Sequence, residues 1–375
     1  MKLLQVGNAA NLPYVCSKRL RDRGIETEQV FLDRHVTNHP LWMEVDTDLS
    51  ELTDQSGDAK WGPDQQRRLE DWVTPVSVDA DDEPLKDLHA HSEMVRQIRA
   101  VDCDVIHAWN IWSAIWASFS GTPYIYHITG HYDWQRDRHV DSTLFRIPLY
   151  VLVKRAIRGA SVVVGLGKWL SDFRSRYDRA ETAELDPLLA TELFHPAEDT
   201  HTEHDGLELF AGARHDWETK RNDVMFEALA GFNGSDVQLT TIEWGNDVDR
   251  SKRLVSELGL QDSVTFAPLM SKPRLARDIR HADAVLDQFR FGFGSLARQS
   301  LACGTPLISA VDESRWEHPP PIMRASTPEE VRQRLGELET ESDDARERSV
   351  AWIDRHYDQE SLMNRYVDLY ERHAE

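Results

Sequence analysis

Residues 2–31 read KLLQVGNAANLPYVCSKRLRDRGIETEQVF, and their pattern decides the fold. The apolar run Lys2–Val6 ends at Gly7, as a buried strand does. Apolar residues at helical spacing follow from Leu12 through Leu20. Asn11 stands at the N-cap position, Pro13 suits the first turn, and Gly24 stops the helix. Ile25–Phe31 reads as a second strand. Strand, loop, helix and strand in this order predict an α/β domain with a parallel sheet. The loop is small and polar: Gly7, Asn8, Ala9, Ala10, Asn11. It leaves room for a ligand, and the helix start behind it offers unpaired N–H groups to an anion. The loop is not a GxGxxG fingerprint, which disfavours a Rossmann dinucleotide site. An ordinary strand-to-helix turn would have the same composition.

Residues 32–90 are less regular and read as surface loops and short helices. The alternation then resumes. Strands are expected at Asp104–His107, Tyr124–Ile128 and Ser161–Val164, with helices at Met94–Ala100, Ile111–Phe119, Leu149–Ile157 and Lys168–Tyr177. The polar stretch His195–Gly206 reads as a linker. A second alternating series follows, with strands at Leu207–Ala211, Val237–Ile242, Val264–Phe266, Ala284–Leu286 and Pro306–Ser309. Beyond Pro319–Pro321 the tail is helical over Pro328–Leu338, Asp343–His356 and Gln359–His373. The expected organisation is therefore two doubly wound α/β domains, 1–195 and 207–345. Helices over 346–375 are expected to pack back on the first domain. Ligands belong at the carboxyl ends of the strands, in a cleft between the domains.

The chain has 375 residues with 43 Lys and Arg against 65 Asp and Glu, a net charge of −22. That argues against a nucleic-acid partner, whose affinity needs a cationic face. Arg far outnumbers Lys, and acid-rich stretches such as 79–83 and 339–347 stand out. A high-salt cytoplasm explains both, because salt screens the self-repulsion of so acidic a chain. Three distant Cys build neither a disulfide framework nor a metal knuckle. The first residues read as a strand and not as a signal peptide. The apolar runs are too short to span a bilayer. The expectation is a soluble cytoplasmic protein, with possible contact at the inner face of the cell membrane. Residues 146–158 (RIPLYVLVKRAIR) motivate that contact, since an apolar run beside Lys154, Arg155 and Arg158 suits anionic lipid. A core helix with a basic solvent edge reads the same way.

Three segments carry candidate chemistry. Gly212, Arg214 and Lys220 follow the first strand of the second series. Two cations flanking such a loop suit a diphosphate whose charge grows as it departs. Gly292, Phe293 and Gly294 precede a helix and present backbone N–H groups, and Gln299 lies five residues further on. His107, Gly130, His131 and Asp133 lie at strand ends, where ligands collect, whereas His127 lies inside its strand and is expected to be packed. No HExxH or GxSxG is present, so neither a metal site nor a serine nucleophile is expected.

Taken together these segments resemble the GT-B glycosyltransferases, and more narrowly the retaining family 4 type, over nearly the whole chain. MKLLQVGN resembles the family's first strand and loop, with Asn8 and Ala9 where paired glycines are usual. DVIHAWN (Asp104 to Asn110) is similar to a D-V-[IV]-H-x-H segment, with Trp109 at the second His. PYIYHITGH (Pro123 to His131) resembles the turn before the family's His-Gly pair. LFAGARHDWETKRND (Leu209 to Asp223) resembles the G-R-x5-K-G element, with the Arg-to-Lys spacing kept and Arg221 at the second glycine. VTFAP (Val264 to Pro268) resembles the V-x-F-x-G strand. GFGSLARQSLACGTPLIS (Gly292 to Ser309) resembles the signature E-G-F-G-x4-E-A-x-A-C-G-x-P-V-I, and this match is the most specific. The signature's two Glu are Phe291 and Gln299 here.

The resemblance implies transfer of a sugar from a nucleotide-sugar donor to an acceptor hydroxyl, on a glycan or a lipid-linked saccharide, with retention. It implies the donor on the second domain and the acceptor on the first. Arg214 and Lys220 would stabilise the departing diphosphate, and His131 or His107 would orient the sugar or the acceptor. Gln299 would stand where the family's Glu holds the ribose hydroxyls, able to hydrogen-bond but without the charge. No metal and no cofactor beyond the donor are implied. Phe291 and Gln299 keep two alternatives open: a non-catalytic homologue that binds a sugar nucleotide or a partner transferase, and a nucleotide-sugar epimerase.

Overall fold

The computed structural model describes residues 1–33, 36–46, 61, 67–77, 84–129, 143–197, 206–232, 236–290 and 292–374. The chain forms two compact units. The first comprises Met1–Leu41, Lys60–Leu188 and Gln359–Glu375; the second comprises Trp42–Ala59 and Leu189–Asp358.

The first unit holds β1 (Lys2–Val6), α1 (Leu12–Asp22), β2 (Glu26–Asp33), β3 (Val73–Ser77), α3 (Pro84–Ala100), β4 (Val105–Ala108), α4 (Ile111–Ala117), β5 (Tyr124–His127), α5 (Thr143–Gly159), β6 (Val162–Gly165), α6 (Gly167–Arg176) and β7 (Thr182–Glu184). A short α2 (Leu41–Glu44) sits between β2 and β3 in the chain. The sheet order is β3-β2-β1-β4-β5-β6-β7, and every pairing is parallel. β4, β5 and β6 are buried at every position, because helices cover both faces. Leu4, Val6, Ile106, Ile115, Trp116, Tyr126, Val163 and Phe173 share one core cluster.

The second unit holds β8 (Leu207–Ala211), α7 (Asn222–Leu229), β9 (Val237–Ile242), α8 (Val248–Glu257), β10 (Val264–Ala267), α9 (Lys272–His281), β11 (Ala284–Leu286), α10 (Ser295–Ala302), β12 (Leu307–Ser309), β13 (Met323–Arg324) and α11 (Pro328–His356). Its strand order is β10-β9-β8-β11-β12-β13, again all parallel. In each sheet the order reverses beside the first strand. The reversal falls between β1 and β4 in one sheet and between β8 and β11 in the other. Ligands of open parallel sheets bind outside the strand ends at such points.

The tail departs from expectation. Pro328–His356 is one 29-residue helix, not two. Thr327 and Glu330 close a capping box at its start, and the acidic stretch 339–344 contains no Gly or Pro to break it. α11 packs on α7 and α10 of its own unit. The chain joins the first unit only at Gln359, with α12 (Gln359–His373), and not at 346. The earlier boundary falls at Leu188, and the expected linker lies mostly outside the described residues. Among the described residues no helix is long and apolar enough to cross a membrane.

Candidate functional site

At the reversal point of the second sheet, β8 delivers the loop 212–221 and β11 delivers 287–294. Gly212 is required by packing: a Cβ there would meet Phe210 at 2.9 Å and Leu296 at 3.2 Å. Arg214 donates from Nη2 to Asp216 Oδ2 at 2.9 Å, with the Arg side chain 39% exposed. The loop is tied down from below. His215 is fully buried; its Nδ1 meets Ser251 Oγ at 2.8 Å and its Nε2 meets Thr241 Oγ1 at 3.2 Å. Burial lowers its pKa to about 4, so the ring is a neutral pillar at pH 7. Trp217 donates from Nε1 to Ser251 Oγ at 2.9 Å, and Arg250 lies over its ring at 3.9 Å. Asp216 accepts the Thr219 N–H at its carboxylate and the Lys220 N–H at its carbonyl. A turn of this kind holds Arg214 and Lys220 on one short, rigid loop.

Lys220 donates from Nζ to Gln288 Oε1 at 3.0 Å. Its carbonyl accepts the Phe289 N–H at 2.9 Å, so backbone and side chain both bind it to the neighbouring loop. Gln288 donates from Nε2 to the Gly292 carbonyl at 3.0 Å. The ammonium is thereby held beside the Gly292–Gly294 turn, whose last residue is the N-cap of α10. Phe293 packs edge-on against Trp316 and Trp352 of its own unit. Its role in the described fold is to anchor that turn to α11. Asp287 is buried; burial raises its pKa, and the Lys220 charge partly offsets the rise. Two polar atoms on these segments are buried without a partner: Thr219 Oγ1 and Gln299 Oε1. A buried polar atom left without a partner costs about 1–3 kcal/mol. Phe291 lies outside the described residues.

In the first unit, Gly7 has φ +92°, and a Cβ on it would sit 2.6 Å from Ser113 Oγ. Only glycine lets β1 end against α4 in this way. Asn8 donates from Nδ2 to Asn11 Oδ1 and to the Asn38 carbonyl, both at 2.6 Å. Asn11 donates to the Thr37 carbonyl at 3.0 Å and itself adopts a left-handed backbone, without a side-chain cap bond. The Asn side chains thus staple the β1–α1 loop to residues 37–38. Asn8 Oδ1 and Ser113 Oγ remain buried and unpartnered.

His107 departs from the expectation that it faces a ligand. It is 1% exposed; Nδ1 meets the Tyr370 hydroxyl at 2.7 Å, and Nε2 meets His127 Nδ1 at 3.2 Å. Trp109 stacks on both rings and donates to Gln5 Oε1 at 2.5 Å. Gln5 donates to the Tyr370 hydroxyl, which then donates to His107 Nδ1. A His107 Nε2–H can in turn donate to His127 Nδ1, which gives both His107 nitrogens a partner. His107 and His127 are both packing residues, because α12 from the chain's end covers the strand end. Gly130, His131 and Asp133 lie outside the described residues. The structure gathers Arg214, Lys220, Gly292 and Gly294 around one sheet reversal, with Gly7, Asn8 and Asn11 at the other. Sequence reasoning missed Gln288 and His215, whose roles depend on partners remote in the chain, and Asp216, which organises its own loop.

Two parallel Rossmann-like sheets in sequence, with a helical end returning to the first, are the GT-B architecture, and this chain has that fold. Sucrose-phosphate synthase of Thermosynechococcus elongatus superposes with a TM-score of 0.69 at 15% identity, over 99% of each chain. HepE of Anabaena, in complex with UDP and glucose, superposes at 0.67 with 15% identity over 99% of each chain. WaaG, a glycosyltransferase of lipopolysaccharide biosynthesis, superposes at 0.64 with 13% identity over 98% of this chain and 99% of that one. Among curated proteins, D-inositol 3-phosphate glycosyltransferase of Mycolicibacterium smegmatis is 35% identical over 95 residues. That stretch is 24% of this chain and spans only 22% of the relative's length. No family model matches the chain. Three of these are named as a synthase or glycosyltransferase, and none of the names favours an epimerase or a non-catalytic homologue.

Proposed function

We propose that this protein is a glycosyltransferase that moves a sugar from a nucleotide-sugar donor to a hydroxyl of a glycan or lipid-linked acceptor, with retention. The observation that carries the reading is Lys220, held at 3.0 Å by Gln288 beside the Gly292–Gly294 turn, at the reversal point of the second sheet. The buried, unpartnered Gln299 Oε1 supports it as an acceptor for donor hydroxyls. The UDP complexes of HepE support a uridine diphosphate sugar as the first donor to try. Arg214, exposed enough to leave Asp216, and Lys220 neutralise the diphosphate as it departs. The acceptor attacks from the face the diphosphate leaves, and a β-phosphate oxygen takes the acceptor's proton. No protein nucleophile is needed. The two cations supply the charge a divalent metal would otherwise bring, so neither metal nor further cofactor takes part. His131, with Gly130 and Asp133, orients the sugar or the acceptor.

The test is turnover of UDP-glucose with a panel of saccharide and lipid-linked acceptors. Arg214→Ala should lower it by roughly 10²–10³-fold, the cost of removing one charge-stabilising donor. An unchanged rate would sink the assignment.

The proposed setting is a salt-rich cytoplasm, with contact at the inner face of the membrane. On α5, Tyr150 and Val151 are 41% and 60% exposed, and Phe119 beside Arg155 is 40% exposed. Lys154 and Arg155 lie over the Tyr150 and Phe119 rings, so an apolar patch carries positive charge on a chain of net charge −22. Sedimentation with anionic vesicles should carry the protein down and neutral vesicles should not. Equal recovery in both supernatants would remove the membrane contact.

A further inference from the structure

We propose that Gln288 is a positioning residue that sets Lys220 for the diphosphate. The proposal rests on the donor reading above. Gln288 is 4% exposed and bonded at its carbonyl and at both side-chain polar atoms. Its carbonyl accepts the Ala310 N–H at 2.7 Å and the Ser309 hydroxyl at 2.9 Å. Its side-chain amide donates to the Gly292 carbonyl at 3.0 Å and to Asp287 Oδ2 at 3.2 Å, and accepts from Lys220 at 3.0 Å. Lysine only donates and a peptide carbonyl only accepts, so the amide can point one way alone. Gly292 completes the fit. A Cβ there would stand 2.8 Å from Oε1 and 2.9 Å from Nε2, so only a glycine lets the turn lie on the amide.

The choice of an amide matters for charge. A carboxylate at 288 would hold the ammonium equally well but would add a second negative charge to the Asp287 carboxyl already near it. Arg214 shows the contrast, since its partner is the Asp216 carboxylate. A neutral clamp takes one of the three ammonium protons and leaves two for phosphate oxygens. It also removes the search of a flexible four-carbon stem before the anion arrives. A monophosphate gains little from this, because the clamp serves the site of the second phosphate.

Two variants and two readouts test it. The first readout needs no ligand: acetylation of Lys220 by acetic anhydride, followed by mass spectrometry with Lys252 as internal reference. The second is calorimetric affinity for UDP, UMP and inorganic pyrophosphate. Gln288→Leu should raise Lys220 labelling about threefold or more. It should weaken UDP roughly tenfold while UMP changes by less than about threefold, as loss of a charge-assisted contact predicts. Gln288→Glu should keep labelling at the wild-type level, because Lys220 stays clamped, yet weaken UDP and pyrophosphate at least as much. Unchanged labelling in Gln288→Leu, or UDP and UMP weakening in parallel, would overturn the positioning role. If labelling responds as expected but the wild type binds neither UDP nor pyrophosphate, the donor reading fails and the clamp stands.

Discussion

Arg221 shows how one residue can carry a cost for its neighbours. It has φ 55° at the N-cap of α7, directly after Lys220, where the left-handed backbone suits glycine. The sequence resemblance expects glycine at this position. Its ion pair with Asp223 is half-exposed on the Arg side and offsets only part of the strain. Arg221→Gly should therefore raise the unfolding free energy by about 0.5–1 kcal/mol. Denaturant melts would show it, and a destabilised variant would mean the guanidinium does more than close on Asp223. Residues differ in how much of this a sequence discloses. Lys220 was legible because Lys is scarce and follows a strand at a fixed distance from Arg214. Gln288 was not, because its partner lies 68 positions away. His107 misled for a related reason. Its place at a strand end pointed to a ligand, but Tyr370, 263 positions later, takes its Nδ1.

Among elements, those set as apolar runs between turn signals were legible, down to the three-residue β11, and those without such a run were not. β1, β2, β4, β5 and β8 fall where apolar runs placed them. β3, with Pro75 inside it, and the half-exposed β7 and β13 carry no apolar run that would mark them. The expected break in α11 failed because a polar run was read as a stop where no breaker stands. The docking of α12 makes a prediction at this scale. The rings beneath it are buried and neutral, with the pKa of His127 lowered to about 3 and that of His107 also lowered by burial. Unfolded histidine titrates near 6.5. Above that pH both states are neutral and the full stability is present. As pH falls from about 6.5 toward 3, only the unfolded chain takes up protons, and stability falls by about 1.4 kcal/mol per pH unit for each such ring. Denaturant melts from pH 8 to pH 4 should show this slope, and His127→Asn, which keeps an acceptor near Nδ1, should reduce it. Identical slopes would mean that the buried rings do not control acid stability.

The whole molecule combines a common architecture with an unusual charge. The GT-B fold was legible from one strand–helix–strand unit, its repetition after residue 206, and the Gly292–Ser309 segment. The domain limits were not, because contacts and not composition decide where the chain leaves one unit for the other. Residues 42–46 illustrate this. They belong to the second unit, where Trp42 donates to the Met270 carbonyl at 2.7 Å and Asp46 pairs with Arg277 at 2.9 Å. A net charge of −22 strains the fold at low salt and repels a phosphate ligand at long range. Both effects fade in about 1 M KCl, where charges are screened within ~3 Å. The decisive measurement is calorimetric titration of UDP and UDP-glucose into folded protein under those conditions, with Arg214→Ala and Lys220→Ala alongside. The account predicts saturable binding by the wild type and at least a tenfold loss in each variant, the effect of removing a charged hydrogen bond to phosphate. Absence of binding in folded wild type, or binding indifferent to both substitutions, would contradict it.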